Sequence, residues 1–248
     1  MRDEKYRQNK FLRQQAWAYR TFYDDISRHI VRKHLIEPVG VDLGCGMGAV
    51  CIGLVEAGFF MTGVDSDAER IESARSIAKD EGIDGDECIF ECADLSQWKE
   101  TGKFWFVISL DVVEHFSSPG ELLKIAKEHM ADNAVAVFTF PPWKGPFGQH
   151  QQTLAWRFSK IPWAGRLFRR EYRYNALAQS QLDESACTAS HSKLSSKKFE
   201  MMADFVGFQV VEKRKYLVRP ERSRFPVRIP SWFPDTLTGS VMYFLKQE

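Results

Sequence analysis

"VDLGCGMG", Val41–Gly48, is the stretch whose reading decides the fold. A short apolar run, "VGVDLG" (Val39–Gly44), leads into it, and "MGAVCIGLVEAG" leaves it as a helical pattern stopped by Gly58. Gly44, Gly46 and Gly48 therefore sit between a strand and a helix. Backbone without a Cβ can approach a ligand closely at such a turn. A plain tight turn also uses glycine, so the surrounding pattern must carry the assignment.

Outward from the turn, strand, turn and helix repeat. "FFMTGVD" (Phe59–Asp65) reads as a second strand and "DAERIESARSIAKDEG" as an amphipathic helix ending at Gly82. "CIFECAD" (Cys88–Asp94) is a third strand. "FWFVISL" (Phe104–Leu110) is a fourth, unbroken and apolar as expected of a strand buried on both faces. Ser118-Pro119-Gly120-Glu121 predicts a capping box with Pro at the first helical position, ahead of "ELLKIAKEHMAD". "AVAVFTF" (Ala134–Phe140) is the fifth strand. Strands alternating with helices imply a doubly wound parallel sheet.

The rest of the chain frames this core. Leu12, Ala16, Tyr19, Tyr23, Ile26 and Ile30 recur at helical spacing, so residues 1–36 are expected to form a helical cap. Residues 37–140 form the core. Residues 141–193 break the rhythm and read as an acceptor-side insertion or lid. Residues 194–248 close the fold with the helix "LSSKKFEMMADFVGF" and the strands "FQVVEKRKYLV" and "GSVMYFLKQ". The expectation is one domain over residues 1–248.

Two cofactor classes compete for the glycine turn. The dinucleotide fingerprint spaces its glycines G-x-G-x-x-G, whereas here they run G-x-G-x-G after Asp42 and Leu43. Asp65, closing the second strand, suits the ribose hydroxyls of either class. Asp94, at the third strand's end, is placed to accept from an adenine amino group.

With these residues in order, the chain resembles the class I S-adenosylmethionine (SAM)-dependent methyltransferases. "VDLGCGMG" is similar to their first motif, "GVDSD" to the ribose-binding acid, "CADL" to the adenine-side motif and "ISLDVVEHF" to the fourth-strand motif of the small-molecule subgroup, whose members act in quinone and glycan pathways. The resemblance implies a Rossmann-like α/β fold: a doubly wound, mostly parallel seven-stranded sheet, its last strand antiparallel, with helices on both faces. It implies SAM as cofactor and S-adenosylhomocysteine as product. Asp42, Gly44, Cys45 and Gly46 would serve the methionine part, Asp65 and Ser66 the ribose, Asp94 and Leu95 the adenine, and Leu110 would lend backbone near the methionine moiety. Asp111 would stand beside the methyl-transfer site, with His115 close by. Glu114 and His115 also fit a purely structural helix start.

The stretch after the fifth strand, "FTFPPWKGPFGQHQQ" (Phe138–Gln152), superficially resembles the Asn/Asp-Pro-Pro-aromatic motif of amino-group methyltransferases. Phe140 stands where Asn or Asp is needed, and that motif follows strand four, so the match is rejected. The stretch reads instead as the acceptor-side wall, with Trp143 as a packing surface. A hydroxyl acceptor benefits from a general base, and His is the commonest choice. His150, His115 and Asp111 are the candidates, with His150 read either as base or as a hydrogen-bonded loop residue.

Bulk properties bound the remaining choices. Apolar residues make up 44% and charged residues 27% of 248 residues, with a formal net charge of +1. No run is long and apolar enough to span a membrane, and the start of the chain lacks the apolar stretch of a signal peptide, so a cytoplasmic protein is expected. The five cysteines have no Cys-x-x-Cys spacing, and no metal site is expected from Cys and His. Basic residues gather in two segments: Arg157, Lys160, Arg166, Arg169, Arg170 and Arg173, then Lys213, Arg214, Lys215, Arg219, Arg222, Arg224 and Arg228. They suggest an anionic partner, with Arg169 as an acceptor-binding candidate. The leading acceptor is thus a small-molecule or glycan-type hydroxyl on an anionic, phosphorylated or lipid-linked substrate. A peripheral membrane enzyme acting on a lipid or quinone precursor, an RNA methyltransferase and a non-catalytic SAM-binding protein are the alternatives; near-zero net charge argues against nucleic acid.

Overall fold

The computed structural model describes residues 38–99, 102–116, 118–146, 162–163, 193–218 and 227–248. The N-terminal cap and most of the 141–193 insertion lie outside the described residues. Strand β1 (Val39–Leu43) runs parallel between β2 (Phe60–Asp65) and β4 (Phe104–Leu110). Strands β3 (Cys88–Cys92) and β5 (Met130–Phe140) extend the parallel sheet on either side. Then β8 (Ser240–Gln247) pairs antiparallel with β5 and with β6 (Phe208–Tyr216), and β7 (Arg228–Ile229) lies at the edge. The sheet order is β3-β2-β1-β4-β5-β8-β6-β7.

The strand period of two divides the core into two layers. Phe106, Ile108, Val135 and Val137 enter one cluster with helices α1 (Ala49–Val55) and α2 (Ala68–Asp80). Val41, Leu43, Val107, Phe138 and Phe140 enter the other, with α3 (Pro119–His129) and α4 (Ser196–Val206). The expected doubly wound sheet is therefore present. Among the described residues it has eight strands, not seven, because the two-residue β7 adds an edge to β6. Two residues give no apolar alternation to read in a sequence.

Two further expectations need correction. Strand β5 begins at Met130, directly after α3, because Met130 pairs with Phe104 before the register shifts to Phe106↔Val135. Asn133 lies within that irregularity at φ 63, a left-handed conformation that asparagine tolerates. The Ser118 side chain makes no capping hydrogen bond. Its carbonyl accepts instead from the Glu121 N–H at 2.9 Å, while Pro119 does occupy the first turn. Helix α4 carries the side-chain cap that α3 lacks: Ser195 accepts from Lys198 N–H at 3.2 Å. Gly207, at φ 83, ends it in the left-handed conformation that favours glycine.

Much of the second basic segment is consumed inside the fold. Lys213 pairs with Glu200 at 2.5 Å and Lys215 with Asp235 at 2.8 Å. Arg214 is buried over the Phe244 ring and grips both oxygens of Glu212, at 2.5 and 2.8 Å. Arg228 adds a contact to Glu212 at 2.9 Å. These four cations already hold carboxylates, so the anionic partner inferred from their clustering does not follow from them. Arg219, Arg222 and Arg224 lie outside the described residues.

Candidate functional site

The carboxyl ends of β1, β2, β3, β4 and β5 meet at one edge, where open α/β sheets build their sites. The glycine turn is fastened there by backbone. Gly44 and Cys45 N–H both donate to the Val64 carbonyl, at 2.7 and 3.0 Å, and Gly48 N–H donates to the Cys45 carbonyl at 3.1 Å. Gly44, Gly46 and Gly48 all have positive φ, at 85, 57 and 77°.

The three glycines have different reasons for lacking a Cβ. One built on Gly44 would stand 2.4 Å from Val112, and one on Gly48 would stand 2.5 Å from the Phe90 ring. One built on Gly46 meets nothing within 4 Å. Packing thus excludes a side chain at Gly44 and Gly48, whereas Gly46 leaves open space above the turn.

Two carboxyl groups face this turn. Asp65 accepts from Gly46 N–H at 2.8 Å on Oδ2 and from Asp67 N–H at 3.0 Å on Oδ1. Asp42 is buried at 2% exposure, and its Oδ1 has no hydrogen-bond partner. Burial, reinforced by the Asp65 charge, pushes Asp42 up to about 8. A buried carboxyl oxygen left unmatched beside an open backbone cradle suits a ligand that brings a cationic donor. The SAM ammonium is such a donor, so the residues present fit the group implied by the sequence resemblance.

The other predicted cofactor residues fall around the same edge. Cys45 is half-buried, and burial, with the Asp42 and Asp65 charges, holds its thiol well above the usual range. Ser66 is exposed just past β2, and its carbonyl accepts from the Cys92 thiol at 3.8 Å. Asp94 is exposed, and Ser96 donates to its Oδ1 from Oγ at 2.7 Å and from N–H at 2.8 Å, which lowers its pKa. Leu95 is buried with the α3-side core, and Leu110 is half-buried against the α1-side core.

Asp111 follows β4 at φ 58, an uncommon conformation for a residue with a side chain. Its N–H donates to the Thr139 carbonyl at 2.9 Å, and the Thr139 hydroxyl reaches its Oδ1 at 3.5 Å. His115 is exposed in a 3-10 turn over Val113–His115, while Glu114 beside it is buried. Trp143 is half-buried in the turn after β5, its N–H donating to the Leu194 carbonyl at 2.8 Å. His150 and Arg169 lie outside the described residues.

Several supporting residues escaped the sequence reading. Val112 backs Gly44, and Phe90 backs Gly48 and would also meet a Cβ on Gly63. The buried Ser109 hydroxyl donates to the Leu43 carbonyl at 2.9 Å, tying β4 to the strand that carries the turn. Val112 lies inside "LDVVEH", where two apolar residues before Glu-His were the available signal. The Ser109 contact joins residues far apart in sequence and left no local sign.

The family described as "Methyltransferase domain" matches residues 7–212. Among curated proteins, the chain is 29% identical over 99 residues to the ubiquinone biosynthesis O-methyltransferase of Caulobacter sp. (strain K31), covering 39% of this chain and 38% of that protein. It is 26% identical over 117 residues to the enzyme of the same name from Rickettsia canadensis (strain McKiel), covering 47% and 44%. The matches thus span well under two thirds of these relatives' length. Among solved structures, a plantazolicin methyltransferase in complex with S-adenosylhomocysteine aligns with a TM-score of 0.61 at 12% identity, covering 99% of this chain and 88% of that one. Magnesium protoporphyrin IX methyltransferase from Synechocystis PCC 6803 aligns with a TM-score of 0.58 at 15% identity, covering 94% and 84%. At these identities the structural likeness concerns the fold.

Proposed function

The chain belongs to the class I SAM-dependent methyltransferases, and from that premise we propose that it moves the methyl group of SAM to a hydroxyl of a small-molecule acceptor. The observation that carries this reading is the pairing of an open Gly46 cradle with the buried, unmatched Oδ1 of Asp42. SAM when bound supplies a methyl already activated on a sulfonium. The protein's tasks are then to hold, align and exclude water.

In this reading Asp42 meets the ammonium and Gly46 lets the turn approach the methionine part. Asp65, fixed by two backbone N–H groups, presents its carboxylate to the ribose. Asp94 faces the adenine side. Asp111, held at φ 58 by Thr139, stands at the mouth of the site. His150 takes the hydroxyl proton, with His115 and Asp111 as the other candidates, and Trp143 and Arg169 contact the acceptor.

The curated relatives favour the phenolic hydroxyl of a quinone precursor. The basic insertion around Arg169 favours an anionic or glycan-type hydroxyl. The internal pairing of Lys213, Arg214, Lys215 and Arg228 takes support from the second class, so the phenolic acceptor ranks first. A methyl-labelled SAM transfer screen over polyprenyl catechols, sugar nucleotides and lipid-linked sugars tests the ranking. Label entering a catechol, and lost in His150→Ala, supports it. Label entering only the sugar compounds reverses it, and no transfer to any hydroxyl overturns the O-methyl reading.

A further inference from the structure

Asp42 lies in the centre of the sheet, opposite Gly63 of β2 and Ile108 of β4. Among the described residues the groups that act on it are few. From β2 the Asp65 carboxylate faces it, from the glycine turn Cys45, and from α1 Cys51. Both thiols are pushed above their usual range and carry no charge at neutral pH. Among the described residues no lysine or arginine makes an ion pair with Asp42. An ionised carboxylate here would be buried, beside a like charge, with one oxygen unmatched. That is the arrangement in which a carboxyl keeps its proton.

We propose that Asp42 carries a proton in the cofactor-free protein and releases it when the cofactor ammonium arrives, so that cofactor binding is coupled to proton release. The O–H bond of Asp42 breaks, its proton passes to the buffer, and the carboxylate left behind accepts an N–H from the ammonium. The cation supplies the charge compensation that the described residues do not. Asp65 keeps its two backbone donors throughout, so the exchange is confined to Asp42. The shift of Asp42 to about 8 agrees with this arrangement, which stands on the burial and the unmatched oxygen.

This inference rests on the SAM reading above, and its test separates the two. S-adenosylhomocysteine is titrated calorimetrically into the full chain at pH 6.5, in buffers of small and large ionisation enthalpy. The ligand's α-ammonium, stabilised by its own carboxylate, titrates above the roughly 7.7–8.0 of a peptide N-terminus and is already charged there. The slope of binding enthalpy against buffer enthalpy is expected to correspond to about one proton released. From pH 6 to 7 the affinity should tighten about tenfold, and less steeply as the pH nears 8. 5′-Methylthioadenosine, which lacks the amino-acid part, should bind with no such slope, and Asp42→Asn should remove it for S-adenosylhomocysteine. Binding by the unmodified protein with no buffer dependence overturns the proton coupling and leaves the cofactor reading standing. No binding of S-adenosylhomocysteine at any pH overturns both.

Discussion

Val112 occupies the space that a side chain on Gly44 would need: a Cβ there would stand 2.4 Å from Cγ2 and 3.0 Å from Cγ1. The residue after Asp111 thus fixes the width of the turn after β1. Gly44→Ala combines this clash with a φ of 85. Its expected cost is about 2–4 kcal/mol, from left-handed backbone and overpacking together. Gly46→Ala has only the backbone cost, about 1 kcal/mol, because its Cβ enters open space. Urea denaturation should therefore rank the two clearly. S-adenosylhomocysteine titration should still find Gly46→Ala impaired, because that open space is where the ligand approaches. A well-folded Gly46→Ala protein with unchanged affinity would remove Gly46 from the site.

Phe199 joins α4 to the sheet. Its ring lies 4.6 Å from Tyr243, 5.1 Å from Phe140 and 5.7 Å from Phe138, and it is fully buried. Phe199→Ala should cost about 3–5 kcal/mol, since such a cluster cannot collapse around the lost ring. Phe199→Leu should cost less than half as much. Thermal melts of both variants test this, and equal losses would show that the ring geometry contributes nothing.

The elements legible in the sequence are those with a local signal. Apolar runs marked β1 and β4, and glycines with a strand before and a helix after marked the turn. Asp65 closes β2 as its run predicts, whereas β3 ends at Cys92, so Asp94 follows that strand by two residues rather than closing it. What failed to show was tertiary. Lys213, Arg214 and Lys215 looked like a free basic patch, because Glu200 and Asp235, which neutralise two of them, lie well away in the chain. The start of β5 was hidden because α3 runs into it without a loop and its register shifts at once. The unmatched oxygen of Asp42 could not be read from "VDLG", since burial and the neighbourhood of Asp65 arise only when β1 and β2 pair.

Asp235 binds the last segments together. It accepts from Ser196 N–H at 2.8 Å and Oγ at 2.6 Å and pairs with Lys215 at 2.8 Å. Burial alone would raise its pKa, but the Lys215 and Ser196 hydrogen bonds outweigh burial and lower it. A carboxyl whose folded pKa is lowered contributes stability above its unfolded range, lost as pH falls through the folded value. Asp235→Asn should therefore cost about 3 kcal/mol at pH 7, the low end for a broken buried pair. The gap between the two proteins should narrow as the pH drops below roughly 4, where the carboxyl of the unfolded chain takes up a proton that the folded one, its pKa lowered, still lacks. Urea midpoints measured from pH 7 downward follow this, and a gap independent of pH would assign the loss to packing.

Asp42 gives the opposite sign. Its pKa rises from 3.8 in the unfolded chain to about 8 in the fold. Between those values the unfolded chain has lost the proton that the folded protein retains, so stability falls as pH rises and levels off above about 8. The full span amounts to a loss on the order of 5 kcal/mol. Isosteric Asp42→Asn removes the titration without removing the volume. The cofactor-free wild type should therefore lose urea resistance steadily from pH 5 to 8, while Asp42→Asn changes far less over the same range. Saturating S-adenosylhomocysteine should flatten the wild-type slope, because the ammonium stabilises the ionised carboxylate. A wild-type curve as flat as that of Asp42→Asn would mean that Asp42 is ionised in the cofactor-free fold, and the negative charge would then have to be balanced by a group outside the described residues.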